Sequence, residues 1–264
     1  FGGDHVKDSH IDNPVRHATS KMSTIHMVST NDHAQRLFQM GEAKERIFNI
    51  GSVALDKFNN EAIFSLEEIK NLFSIPQHVK NYAILIFHPI PKERSKSADI
   101  FENILLSLKK KNITTFVSYP NIDPGSSEII SVIEKYRSFP GFIFYKNQPR
   151  KIFLSIYKNA DFIIGNSSSG ILESATIPIA AINVGYRQTG RAANTNIIFT
   201  RTSKASIESA IDKIKTKDFQ QIVQNTSNIY GDGKSLSKAF QIIKNNTFNE
   251  LLFKDEDILE RDYE

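Results

Sequence analysis

With 264 residues, 40% of them hydrophobic, the chain is long enough to bury the core of one large or two ordinary domains and reads as globular. It has no cysteine, which excludes disulfides and cysteine-ligated metal or iron–sulfur sites and fits a reducing cytoplasm. The net charge of +4 comes from lysines and arginines spread along the chain, which points to small anions rather than nucleic acid, and no apolar run approaches the roughly 20 residues that span a bilayer.

The first ten residues are polar, with Asp4, His5, Lys7, Asp8 and His10 as possible contacts to a small molecule. Asp12 or Asn13, followed by Pro14, starts a helix that continues without breakers to Met22. Asp12 and Arg16 lie four apart on it, as do His17 and Lys21, so each pair shares a face. Residues 25–30 read as a strand, Asn31 caps a helix through Met40 that Gly41 stops, and residues 46–51 form a second strand. Strand, helix, strand at this spacing is a βαβ unit. Two strands alone make no stable sheet.

Residues 52–60 look like an irregular linker before a helix over 65–73. From there the alternation is regular. Strands are predicted at 82–87, 114–119, 142–145, 161–165, 179–184 and 197–200, with helices at 97–111, 126–137, 149–158 and 204–215. This is the pattern of a doubly wound α/β domain, whose ligand crevice lies outside the carboxyl ends of its strands. His88, Tyr119-Pro120-Asn121, Lys146-Asn147, Asn166 to Ser169 and Gly185-Tyr186-Arg187 each follow such an end. Tyr230 to Gly233 makes a turn, residues 235–243 a last amphipathic helix, and residues 249–264 a charged tail.

The densest signal is Asp161-Phe162-Ile163-Ile164-Gly165-Asn166-Ser167-Ser168-Ser169-Gly170-Ile171-Leu172-Glu173, which reads as strand, turn and helix start. Its side chains and free amides suit a phosphate or diphosphate; the same residues also make a serine-rich cap that holds only water. His88, before Pro89, can project into the crevice as an acid/base or a phosphate donor, or merely end a strand. Glu173 suits the two vicinal hydroxyls of a ribose, unless it is simply exposed to solvent. Arg187 and Arg191 form a mobile pair able to clamp a diphosphate, unless they serve ordinary surface ion pairs. No spacing of His, Asp and Glu suggests a metal, and no serine elbow with a triad order is present.

Taken together these residues resemble the UDP-N-acetylglucosamine 2-epimerase family, in its hydrolysing branch that feeds sialic-acid-type sugar synthesis. The matching pieces are Gly2-Gly3-Asp4, Ile11-Asp12 with Arg16-His17-Ala18 and Lys21, Phe48-Asn49-Ile50-Gly51, Phe87-His88-Pro89, Tyr119 through Gly125, Gly165 through Glu173, Asn183 through Arg191, and Tyr230-Gly231-Asp232-Gly233. The resemblance implies a GT-B-like α/β fold of two Rossmann-type domains with parallel sheets and the nucleotide sugar in their cleft. On that scheme residues 1–55 are the end of an incomplete first domain. Residues 56–229 are the nucleotide-binding domain, and residues 230–264 are a helix returning to the first domain plus the tail.

Carried over by position, the resemblance makes Asp12, Arg16 and His88 catalytic. It gives Asn166, Ser167, Ser168, Ser169 and Arg187 to the diphosphate side and Glu173 to the ribose. It implies a UDP-sugar and UDP as ligands with no cofactor and no metal. A cytoplasmic homo-oligomer without nucleic-acid or membrane partners is expected. The implied reaction is anti elimination of UDP to a glycal, then hydration to the 2-epimerised free sugar. Phe1 stands where the family usually has Glu or His, and the Gly/Arg loop and catalytic Asp that usually lie further upstream are not in the sequence. The expectation is therefore UDP binding with little turnover by this chain alone. Rival readings are a GT-B glycosyltransferase, an inactive UDP-sugar-binding module and the non-hydrolysing branch, whose serine turn usually reads Asp-Ser-Gly-Gly.

Overall fold

The structure is a computed structural model that describes residues 2–6, 12–60 and 63–254; Phe1, Lys7, Asp8 and His10 lie outside them. The chain divides into two compact units, one made of Phe1–Asn60 with Asn228–Glu264 and the other of Glu61–Ser227. Among the described residues no helix is long and apolar enough to cross a membrane.

In the first unit, helix α1 (Asp12–Met22) leads to strand β1 (His26–Val28), helix α2 (Asn31–Gln39) and strand β2 (Ile47–Asn49). β1 and β2 pair in parallel, with His26 opposite Ile47. The cap of α2 is Thr30, one residue before the expected Asn31, because its hydroxyl accepts from the His33 amide. The supposed linker contains a short helix, α3 (Asp56–Asn60). The last helix, α11 (Ser235–Asn245), has no cap of its own; the Asp56 carboxylate accepts the amides of Ser235 at 3.0 Å and Leu236 at 2.6 Å. Leu236, Phe240 and Ile243 form an exposed stripe along it.

A buried ion cluster ties the end of the chain into this unit. Glu42 is fully buried and meets His26 Nε2 at 2.7 Å, Lys21 Nζ at 2.8 Å and Lys254 Nζ at 2.5 Å. Arg46, also buried, donates to the carbonyls of Thr24, Leu251 and Phe253.

The second unit starts with α4 (Leu66–Leu72), whose capping box pairs Ser65 and Glu68. It is built on six parallel strands: β3 (Ala83–Ile86), β4 (Thr115–Ser118), β5 (Phe142–Tyr145), β6 (Phe162–Gly165), β7 (Ala180–Val184) and β8 (Ile197–Thr200). Strands buried on both faces read as continuous apolar runs. This is true of β3, β6 and β7, every residue of which is buried, whereas the edge strands β5 and β8 are partly open. Their spatial order is β5-β4-β3-β6-β7-β8. The chain winds outward from β3 to β5, then returns to lay β6 on the other side of β3. That reversal places the ligand crevice outside the carboxyl ends of β3 and β6.

Helices α5 (Ser97–Lys110), α6 (Ser126–Tyr136), α7 (Arg150–Lys158) and α9 (Lys204–Ile214) cover the sheet. A further helix, α10 (Lys217–Asn225), was not anticipated; Thr216 caps it and Phe219 and Val223 anchor it in the core.

Candidate functional site

The turn after β6 depends on Gly165. Its φ is +132°, and a Cβ there would lie 2.0 Å from the Ile86 carbonyl oxygen, so only glycine lets β6 approach β3 this closely. The next residue, Asn166, is fully buried. Its Oδ1 accepts from the His88 amide and its Nδ2 donates to the His88 carbonyl, both at 2.8 Å. Its own amide donates to the Ile86 carbonyl at 3.0 Å. Its carbonyl accepts from Arg187 Nη1 and Gln188 Nε2, both at 3.0 Å. Its side chain is thus bonded on both sides to the His88 backbone.

The His88 ring is fixed from the β4 side, where the Asn121 amide donates to Nδ1 at 3.1 Å. A backbone N–H can only donate, so Nδ1 carries a lone pair and the ring proton sits on Nε2. Burial, and then the Arg187 charge, lower the imidazole's pKa to about 4, against an upward pull from Asp123. At neutral pH His88 is an uncharged hydrogen-bond donor. It is poorly suited to carry a proton.

Helix α8 (Ser169–Leu172) is a single turn, shorter than the apolar spacing suggested, so little helix dipole is available. What the turn offers an anion is local. The Ser168 carbonyl takes the amides of Ile171 and Leu172 at 2.9 Å, and Ser167 Oγ takes the Ser169 amide at 3.3 Å. Among the described residues the amides of Ser167 and Ser168 make no hydrogen bond, and both residues are partly open to solvent. Tyr157, fully buried, braces the turn by donating to the Ser169 carbonyl at 2.8 Å.

Glu173 is not a solvated residue. Only 7% of it is exposed, and among the described residues its Oε2 has no hydrogen-bond partner. Burial raises its pKa, opposed by the Arg150 charge and a bond from Ser169. A buried acceptor without a donor is costly and calls for one from outside. Arg187 is half-buried, and Arg191 Nη1 donates to Gln188 Oε1 at 2.9 Å. Arg187 is thus bonded to Asn166 and Arg191 to Gln188.

Four of the five strand ends therefore belong to one bonded network: His88 after β3, Asn121 after β4, Asn166 after β6 and Arg187 after β7. The fifth lies on the edge strand β5. There Lys146 stacks on the Tyr119 ring at 5.2 Å and Asn147 is exposed.

In the first unit, Arg16 pairs with Asp4 at 2.9 Å rather than with Asp12, and Asp12 is exposed at the start of α1. His33 Nε2 lies 3.5 Å from the other Asp4 oxygen. Gly3 makes this approach possible: its φ is +80°, and a Cβ would lie 2.2 Å from the His33 carbonyl oxygen. His5 and His17 stack with ring centres 5.6 Å apart. His33 escaped the sequence reading because only the folding of α2 against residues 2–4 brings it to Asp4. Among the described residues no group of three or more His, Asp or Glu could hold a metal ion.

Comparison with known proteins agrees with this geometry. Residues 1–244 match the sequence profile described as UDP-N-acetylglucosamine 2-epimerase. The chain is 32% identical over 238 residues to a Legionella pneumophila protein named UDP-N,N'-diacetylbacillosamine 2-epimerase (hydrolyzing), covering 89% of this chain and 61% of that one. It is 36% identical over 207 residues to a UDP-N-acetylglucosamine 2-epimerase of Neisseria meningitidis serogroup B, covering 77% of this chain and 53% of that one. The chain thus spans little more than half the length of these relatives. Among solved structures, the Neisseria meningitidis 2-epimerase bound to UDP-GlcNAc superposes with a TM-score of 0.77 at 16% identity, over 93% of this chain and 68% of that one. A Methanocaldococcus jannaschii 2-epimerase in complex with UDP-GlcNAc and UDP gives 0.72 at 18% identity, over 93% and 68%.

Proposed function

The chain belongs to the UDP-N-acetylglucosamine 2-epimerase family, and on that basis we propose that the whole protein is a hydrolysing 2-epimerase, converting a UDP-acetamidosugar and water to UDP and the free 2-epimerised sugar. Its fold is α/β and GT-B-like, with parallel sheets. The observation that carries the reading is the set of groups at the strand reversal. A neutral His88 donor and the Arg187 guanidinium share one network through Asn166, the amides of Ser167 and Ser168, next in the chain, are unbonded among the described residues, and Glu173 keeps a carboxylate oxygen without a partner there. Donors for a diphosphate and an acceptor for ribose hydroxyls make a nucleoside diphosphate site.

In the elimination a base removes the proton at C2. The C1–O bond breaks, its electron pair leaves with UDP, and a glycal remains. Charge grows on the departing diphosphate, where the Ser167 and Ser168 amides, His88 Nε2–H and Arg187 stabilise it. Water then adds its oxygen at C1 and a proton at C2 on the opposite face. The family resemblance gives the sugar chemistry to Asp12 with Arg16. Within the first unit Arg16 is paired with Asp4, beside which His33 lies. A cytoplasmic role in sialic-acid-type sugar synthesis, and assembly as a homo-oligomer, go with this reading.

The reaction run in H2(18)O, and separately in D2O, tests it. UDP and a free sugar with solvent oxygen at C1 and solvent deuterium at C2 are expected. Retention of UDP on the epimerised product, or a requirement for an acceptor sugar, contradicts it.

A further inference from the structure

The network around Asn166 carries an assignment beyond ligand contact. Asn166 reaches no solvent, and all four of its polar positions are committed: side-chain oxygen and nitrogen to His88, amide to Ile86, carbonyl to Arg187 and Gln188. The two His88 bonds extend the pairing of β3 with β6 by one residue beyond the Ile86–Gly165 register, with a side chain standing in for backbone. That fixes where the His88 peptide sits, and so whether the ring meets the Asn121 amide with Nδ1 and turns Nε2–H outward. The carbonyl of the same residue accepts from Arg187 Nη1 and so anchors that guanidinium beside the His88 peptide.

We propose that Asn166 is a positioning residue, which aligns the His88 donor and the Arg187 cation on one diphosphate through a single peptide while touching no ligand itself. The proposal deepens the function proposed above and rests on it for the identity of the ligand. Removing the clamp leaves the His88 amide and carbonyl to find other partners, and the ring loses its hold on the Asn121 amide. Nothing else in the network sets both residues at once: Gln188 braces only the Arg187 side, and Asn121 only the ring.

The test uses the full 264-residue chain, UDP as probe and three variants, Asn166→Ala, His88→Ala and the double mutant, with Asn166→Ser as a milder variant that keeps a hydroxyl at the site. Asn166→Ala should weaken UDP binding roughly tenfold, the size of one or two lost hydrogen bonds, and should add little on top of His88→Ala. Simple multiplication of the two losses would overturn the proposal, since it is what loosened packing alone would produce. Ring nitrogen NMR supplies a readout without ligand. His88 should hold its proton on Nε2 from pH 5.5 to 8 in the wild type. In the Asn166→Ala or Asn166→Ser chain it should exchange between tautomers or titrate. An unchanged His88 spectrum in a folded variant, or a wild-type ring protonated on Nδ1, overturns the assignment. If the wild-type chain binds no UDP, the proposed function fails, and the ring spectra still decide the role of Asn166.

Discussion

Glu173 shows how much a single buried acceptor can say. Its raised pKa means that the free fold protonates it more readily than the unfolded chain does, so its carboxylate is in place for a ligand rather than for stability. Glu173→Gln should weaken UDP binding about tenfold and remove the preference for UDP over 2'-deoxy-UDP predicted for the wild type. Equal discrimination in both proteins, by calorimetry, contradicts a ribose role. His88 gives the second test. Its pKa is depressed to about 4, so the fold keeps the neutral ring as pH falls through 6.5 and loses that contribution only on the way down to 4. Affinity for UDP-N-acetylglucosamine, whose diphosphate does not titrate in this range, should be flat from pH 6 to 8. A rise on acidification with a midpoint near 6.5 would mean that His88 binds as a cation.

The residue types were legible in the sequence because they sit at strand ends, where geometry forces a side chain toward the crevice. Their jobs were less so. Asn166 and Glu173 look alike on paper, two polar groups beside a serine run, and only burial and bonding separate a clamp from an orphan acceptor. Arg16 makes a related point: four-residue spacing on α1 puts Asp12 on its face, but the ion pair it forms is with Asp4.

Among the elements, α11 depends on a cap from far along the chain. Asp56→Ala should cost about 1–2 kcal/mol and raise hydrogen exchange selectively at the first amides of α11; uniform exchange across the protein would contradict this. The Glu42 cluster makes the first unit acid-sensitive. His26 is held below its ordinary 6.5 by burial, despite the Glu42 bond. Burial of Glu42 pushes the other way, yet the bonds from Lys21, Lys254 and His26 bring it below the usual carboxylate value. Both groups are depressed, so both contribute stability at neutral pH. The His26 share fades as pH falls below 6.5, and the Glu42 share below about 4.5. Amides of β1 and β2 should therefore lose exchange protection as pH drops from 7 to 4. Protection that holds steady over that range would show that the cluster does not hold the unit.

Most elements could be placed from periodicity, because buried parallel strands such as Ala83–Ile86 are continuous apolar runs and the helices between them bury one apolar face, as Ile100, Ile104 and Leu108 do on α5. Two helices were missed for the converse reason. Asp56–Asn60 is too short to show a period, and Lys217–Asn225 follows α9 so closely that its own cap at Thr216 passed for the end of the preceding helix.

At the scale of the whole molecule, the reversal of strand order between β3 and β6 is what makes a single site from residues spread over a hundred positions. That much followed from the alternation of elements, together with the ordered set of motifs shared with the family. The central claim is that the second unit, built on that reversal, is a nucleoside diphosphate site. Calorimetric titration of the 264-residue chain with UDP, set against UMP and uridine, tests it most directly. Saturable one-to-one binding of UDP, much weaker binding of UMP and none of uridine are predicted. Failure to bind UDP, or equal binding of all three, would contradict the account.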